Sequence, residues 1–203
     1  EFCLSRGLGD VYKRQEYCLE NGVPVDAIGI QTHMHHQGDA FNEERLWAAL
    51  ERYSQYGKPL QLSEISILSC EIFPDWAALS RWEEVIRTAQ KEGRPAPCKP
   101  STQVWESYQA ELARDFYTLA FSHPAVESII WWTITDLKPW RGMPAGLLDA
   151  EGQPKSVYHA LDQLINHEWN TRIEGTTASD GGVRFRGYYG SYKITVEDGG
   201  VRW

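Results

Sequence analysis

A parallel α/β fold, either a doubly wound sheet or part of a barrel, is predicted by two observations on this 203-residue chain. Strand-like runs and amphipathic helical runs alternate three times from residue 23 onward, the pattern of repeated βαβ units. No GxGxxG or GxxxxGK turn follows any strand, which argues against a nucleotide-binding sheet. With 42% hydrophobic and 24% charged residues the chain is globular, and its length allows one domain with an appendage or a piece of a larger one.

The elements follow in order. Residues 25–33 (VDAIGIQTH) form a compact β-branched run entered from an Asn-Gly-Val-Pro turn. Asn42 caps a helix with Glu43 and Glu44 in its first turn and Leu46, Trp47 and Leu50 on its apolar side, ending at Gly57. After Lys58-Pro59, residues 60–67 (LQLSEISI) read as a second strand. An excursion then holds a helix through Leu79, Trp82, Val85 and Ile86, ending at Gly93, and leaves by the loop RPAPCKPS. Trp105, Tyr108, Leu112, Phe116 and Leu119 make the clearest helical stripe, closed by His123-Pro124. Residues 126–135 (VESIIWWTIT) give a third strand, and Pro154 opens a last helix through Val157, Leu161, Leu164 and Ile165. Three segments result: a leader, 1–15, set aside as either non-native or a helix–turn; the α/β part, 16–169; and a Gly-rich, alternating tail, 170–203, expected to be β-rich.

Charge narrows the partners. Twenty basic against twenty-eight acidic residues give a net charge of −8, and no basic block marks a nucleic-acid or anionic-membrane surface. Apolar stretches break well before the roughly 18 residues of a membrane helix. Nine Trp and ten Tyr serve first as core, and their flat faces are also platforms for sugar rings. Of four cysteines, at 3, 18, 70 and 98, Cys70 and Cys98 bracket one long connection; they are either free thiols or, in an exported protein, a disulfide.

In a barrel, catalytic groups gather at the C-terminal ends of strands. Here those ends carry Gln31 and His33, then Glu64, then Trp132 and Asp136. Glu64 is a lone carboxylate in an otherwise apolar strand, which is costly unless it is paired. His33, on the preceding strand, is placed to orient it. His33 and His35 share a strand face, so a zinc- or iron-dependent hydrolase is a rival reading, although no third ligand stands at suitable spacing. No cofactor is otherwise indicated.

Four pieces in register carry a family resemblance: GIQTH, LQLSEISI, IIWWTITDLKPW and LLDAEGQPKSVYHAL. Together they resemble the second half of glycoside hydrolase family 10, the endo-1,4-β-xylanase family, over roughly residues 20–167. The resemblance implies the last three βα units of a TIM (β/α)8 barrel, followed by the short tail. It implies a retaining glycosidase for β-1,4-xylan or a related plant-wall polysaccharide, secreted or periplasmic in its full-length form. Glu64 matches the nucleophile, His33 its hydrogen-bonding partner and Gln31 a polar residue near the cleavage subsite. Trp132 and Trp140 match aromatic walls, and His35 is expected to line the cleft with them.

Three departures stand out. Ser66 replaces the family's usual Asp, Thr133 replaces its usual Gly, and the Trp-Asp-x-x-Asn-Glu segment that supplies the acid/base is absent. Glu71, Asp75 and Asp136 are read as solvated loop carboxylates rather than substitutes. The expectation is therefore a fragment inactive by itself. Its rival, beside the metal hydrolase, is a non-catalytic carbohydrate-binding protein using the same aromatics.

Overall fold

The computed structural model describes residues 16–202, so the leader 1–15 lies outside the described residues. The elements are β1 (Ile28–Met34), α1 (Glu43–Ser54), β2 (Leu60–Ile67), α2 (Trp76–Lys91), α3 (Gln103–Ser122), β3 (Val126–Trp131) and α4 (Ser156–Asp162). Two short strands, β4 (Glu197–Asp198) and β5 (Val201–Arg202), follow. The first three strands form one parallel sheet in the order β1-β2-β3. The chain divides into two compact units, one ending at Leu161 and the other beginning at Asp162. Among the described residues no helix is long and apolar enough to cross a membrane.

Helix starts follow side-chain capping. Asn42, Asp75 and Thr102 each accept a hydrogen bond from the backbone N–H three residues on, satisfying a donor that the helix leaves open. Gly57 and Gly93 take φ of 63° and 67° beyond the ends of α1 and α2, a conformation that a Cβ disfavours.

One face of the sheet packs on the helices. Ile28, Ile30 and Met34 of β1 are buried there beside Leu60, Leu62, Ile65 and Ile67 of β2. The parity of β2 changes between Leu62 and Ile65 because the register with β1 slips by one residue: Ile30 pairs with Leu62, but Gln31 pairs with Glu64. This bulge at Ser63 turns Glu64 and Ser66 onto the face of Gln31 and His33 while Ile65 and Ile67 stay in the core.

Three expectations change in the structure. The third strand ends at Trp131, not Thr135, because Thr133 adopts φ 72° and breaks the extended run; Thr135 keeps only an isolated bridge to Leu148. On α3 the buried face is Gln109, Ala113, Phe116, Tyr117 and Ala120, so Trp105, Tyr108, Leu112 and Leu119 lie only partly buried beside it. Small alanines and one amide let the helix sit close to the sheet, where Gln109 Nε2 donates to the Ile67 carbonyl at 2.7 Å. In the tail, residues 170–196 contain no strand; regular β structure is confined to the β4–β5 hairpin around Gly199 and Gly200 (φ 56° and 87°). Its alternation lacks a covered apolar face: Tyr189, Ile194 and Val196 are exposed. Cys18, Cys70 and Cys98 are free thiols, with Cys70 buried and Cys98 exposed.

Candidate active site

The bulge and register bring Gln31, His33, Glu64 and Ser66 together at the C-terminal ends of β1 and β2. Gln31 Nε2 donates to Glu64 Oε1 at 2.9 Å, and His33 Nε2 lies 3.0 Å from Glu64 Oε2. Each carboxylate oxygen thus has one fixed partner. Hydrogen bonds to a charged group are worth about 1.5–3 kcal/mol each, enough to hold a carboxylate in a strand that is otherwise apolar. The Glu64 side chain stays 22% exposed, so it can be reached from the open face.

Ser66 is the second hub. Its Oγ lies 2.7 Å from His33 Nδ1 and 2.7 Å from His35 Nε2. Burial lowers the His33 pKa against the opposing pull of Glu64, and Arg141 adds to the lowering. Burial first, then the neighbouring His33, Arg141 and His36, push His35 down to about 3. His35, expected to line the cleft, is instead 3% exposed and turned onto Ser66. His36 is also withdrawn: its Nδ1 accepts the Gly38 N–H, and its Nε2 is 2.8 Å from Asp39 Oδ2.

Aromatic walls stand around this cluster. The Trp140 ring centroid lies 4.9 Å from that of His33 and 5.5 Å from that of His35, and Trp132 packs edge-on to Trp140 at 5.9 Å. Trp132 is the more open, 36% exposed. Arg141, which sequence reasoning missed, stacks its guanidinium 4.2 Å over Trp140 and pairs with Glu83 of α2 at 2.6 Å. Trp82 Nε1 donates to the Arg141 carbonyl, and a Cβ on Gly142 would collide with the Pro97 carbonyl oxygen. The Trp140 loop is therefore tied to α2 and its exit. Thr133 holds a left-handed φ despite its branched Cβ, a strain of about 1–2 kcal/mol beside Trp132.

Two of the carboxylates read as solvated have structural work. Asp75 caps α2. Asp136, 9% exposed in its side chain, is corrected most sharply: Lys155 Nζ lies 2.7 Å from its Oδ2, and its Oδ1 accepts the Gly146 N–H. Lys155 also donates to Ser69 Oγ at 2.7 Å. For metal binding, no group of three or more His, Cys, Asp or Glu among the described residues could hold an ion. Both ring nitrogens of His33 already face Glu64 and Ser66.

A model of glycosyl hydrolase family 10 matches residues 9–164. The chain belongs to this family. It is 28% identical over 175 residues to the anti-sigma-I factor RsgI6 of Acetivibrio thermocellus, a match covering 86% of this chain and 18% of that protein. It is 26% identical over 168 residues to endo-1,4-beta-xylanase B of Thermotoga neapolitana, covering 80% of this chain and 40% of the relative. Among solved structures, xylanase 10B of Thermotoga maritima superposes with a TM-score of 0.54 at 25% identity, covering 78% of this chain and 42% of that one. The xylobiose complex of xylanase 10B from Thermotoga petrophila gives 0.55 at 24%, covering 78% and 41%. The chain thus spans about two fifths or less of the length of these relatives. Its three parallel strands fit part of a family 10 barrel rather than a doubly wound sheet.

Proposed function

We propose that this family 10 chain is part of a retaining glycoside hydrolase acting on β-1,4-xylan, with Glu64 as the nucleophile. The observation that carries the reading is the doubly held carboxylate: Oε1 on Gln31 and Oε2 on His33, at a strand end beneath Trp132 and Trp140. In this chemistry Glu64 attacks the anomeric carbon and the leaving oxygen departs, forming a glycosyl-enzyme that water then hydrolyses. A second carboxylate about 5–5.5 Å away protonates the leaving oxygen. Asp136 is held by Lys155 and Asp75 caps α2, and the Trp-Asp-x-x-Asn-Glu segment expected to supply the acid is absent from these residues, so the chain alone is expected not to hydrolyse xylan. Indole faces at Trp132 and Trp140 supply apolar contact for pyranose rings. Its working place is outside the cytoplasm, because a polymer of this size is met there.

The nucleophile can be tested without the acid. A 2-fluoro xyloside with a dinitrophenolate leaving group needs no protonation, so it should add one fluoroglycosyl mass to the Glu64 peptide. Glu64→Gln should abolish that mass. Labelling of another carboxylate, or none at all, rejects the assignment.

One second reading is a family 10 fold used to bind saccharide without cleaving it: Ser66 and Thr133 stand where the family usually has Asp and Gly, and one relative bears a regulatory rather than an enzyme name. Calorimetric binding of xylo-oligosaccharide by a chain that never takes up the label would select that reading.

A further inference from the structure

We infer that His35 is a positioning residue for Glu64: by donating to the Ser66 oxygen it turns the Ser66 proton onto His33 Nδ1, which holds the His33 ring with its Nε2–H on the carboxylate. This rests on Glu64 being the reacting group, but its test does not need turnover.

The contacts form a line: His35 Nε2 to Ser66 Oγ at 2.7 Å, Ser66 Oγ to His33 Nδ1 at 2.7 Å, and His33 Nε2 to Glu64 Oε2 at 3.0 Å. A hydroxyl has one proton and cannot donate to both imidazoles. An ionised carboxylate only accepts, so His33 must carry its proton on Nε2. In a neutral ring Nδ1 is then a lone pair, and it takes the Ser66 proton. Ser66 has none left for His35, so His35 must donate from Nε2. Every bond in the line then holds one proton, and all point toward Glu64.

The competing arrangement makes His33 an imidazolium that donates to Ser66, with Ser66 donating to His35. That reverses the line, forces the His35 proton onto Nδ1 and places a second cation in the aromatic cluster beside Arg141. The groups facing this pair are Glu64 and Ser66 from β2, the Trp132 ring, and Trp140 with Arg141 above it; His36 adjoins His35. Arg141 opposes a second positive charge here, and burial favours the neutral rings of both histidines. Gln31 then supplies one N–H to Oε1 and His33 one to Oε2, so both carboxylate oxygens are oriented by neutral donors.

Long-range 1H–15N correlation spectra of the full chain between pH 5.5 and 8 read each ring nitrogen directly. The expected result at pH 7 and above is His33 and His35 both as Nε2–H tautomers, with Nδ1 of His33 in the acceptor range. Ser66→Ala should abolish that single pattern at His33. Ser66→Asp should protonate both His33 nitrogens at pH 7, because a carboxylate would then face each. His35→Gln, whose amide can still donate to Ser66, should preserve the parental His33 signals, whereas His35→Leu should lose them. A parental His33 carrying its proton on Nδ1, or on both nitrogens at pH 7, overturns the inference. So does a His35→Leu chain with parental circular dichroism and unchanged His33 signals. If fluoroglycosyl labelling misses Glu64 while the spectra behave as expected, only the nucleophile reading falls.

Discussion

His35 shows how one side chain couples the site to acid stability. Its pKa is about 3 in the folded chain against an ordinary 6.5, with burial the largest cause. Below pH 6.5 the unfolded chain binds a proton that the folded one refuses, so stability declines as pH falls from about 6.5 toward about 3 and is level above that window. The size is on the order of a few kcal/mol, and the lowered His33 adds in the same direction. His35→Gln should therefore lose less melting temperature than the parent between pH 7 and pH 4.5. An identical loss in both would show that His35 does not carry this acid sensitivity. That Glu64 needed partners was readable from a lone carboxylate in an apolar strand. That His35 would serve Ser66 instead of the cleft was not, since strand alternation gives a side chain's face but not its depth.

Among the elements, β2 and α3 mark where periodicity helps and where it misleads. Residues 60–67 were legible as a strand, yet strict alternation would put Leu60, Leu62 and Glu64 on the same face. The bulge at Ser63 resolves that conflict, and only pairing with β1 places it. On α3, large apolar side chains suggested one stripe, but the sheet selects the neighbouring face of Gln109, Ala113 and Ala120. Close approach rewards small residues there, and Gln109 spans the gap to the Ile67 carbonyl. Gln109→Leu removes that donor at a fully buried position and should cost about 1–3 kcal/mol, read as a lower urea midpoint with an unchanged slope. A midpoint equal to the parent's would show that packing alone, not the amide, holds α3 on the sheet.

Across the first unit, Lys155 just before α4 joins Ser69 beyond β2 and Asp136 beyond β3. Lys155 is 3% exposed, so Lys155→Met would strand a buried carboxylate and should destabilise by about 3–5 kcal/mol. Adding Asp136→Leu should recover much of that loss in denaturant melts. If the single variant melts like the parent, this tie does not hold the strand ends together. The sequence by itself determined the parallel α/β alternation, the helix caps at Asn42 and the carboxylate at 64, because period, capping chemistry and the cost of an apolar-strand charge are local properties. Its family motifs further marked Gln31, His33, Trp132 and Trp140. Only the tertiary structure decided the bulge at Ser63, the bridging of two histidines by Ser66, the Arg141 clamp on Trp140 and the burial of Asp136 against Lys155. The Ser66 bridge, the Asp136–Lys155 pair and the Glu83 contact that holds Arg141 join groups 19 or more residues apart, and the bulge is set by a strand's partner, so none of them is written in local pattern.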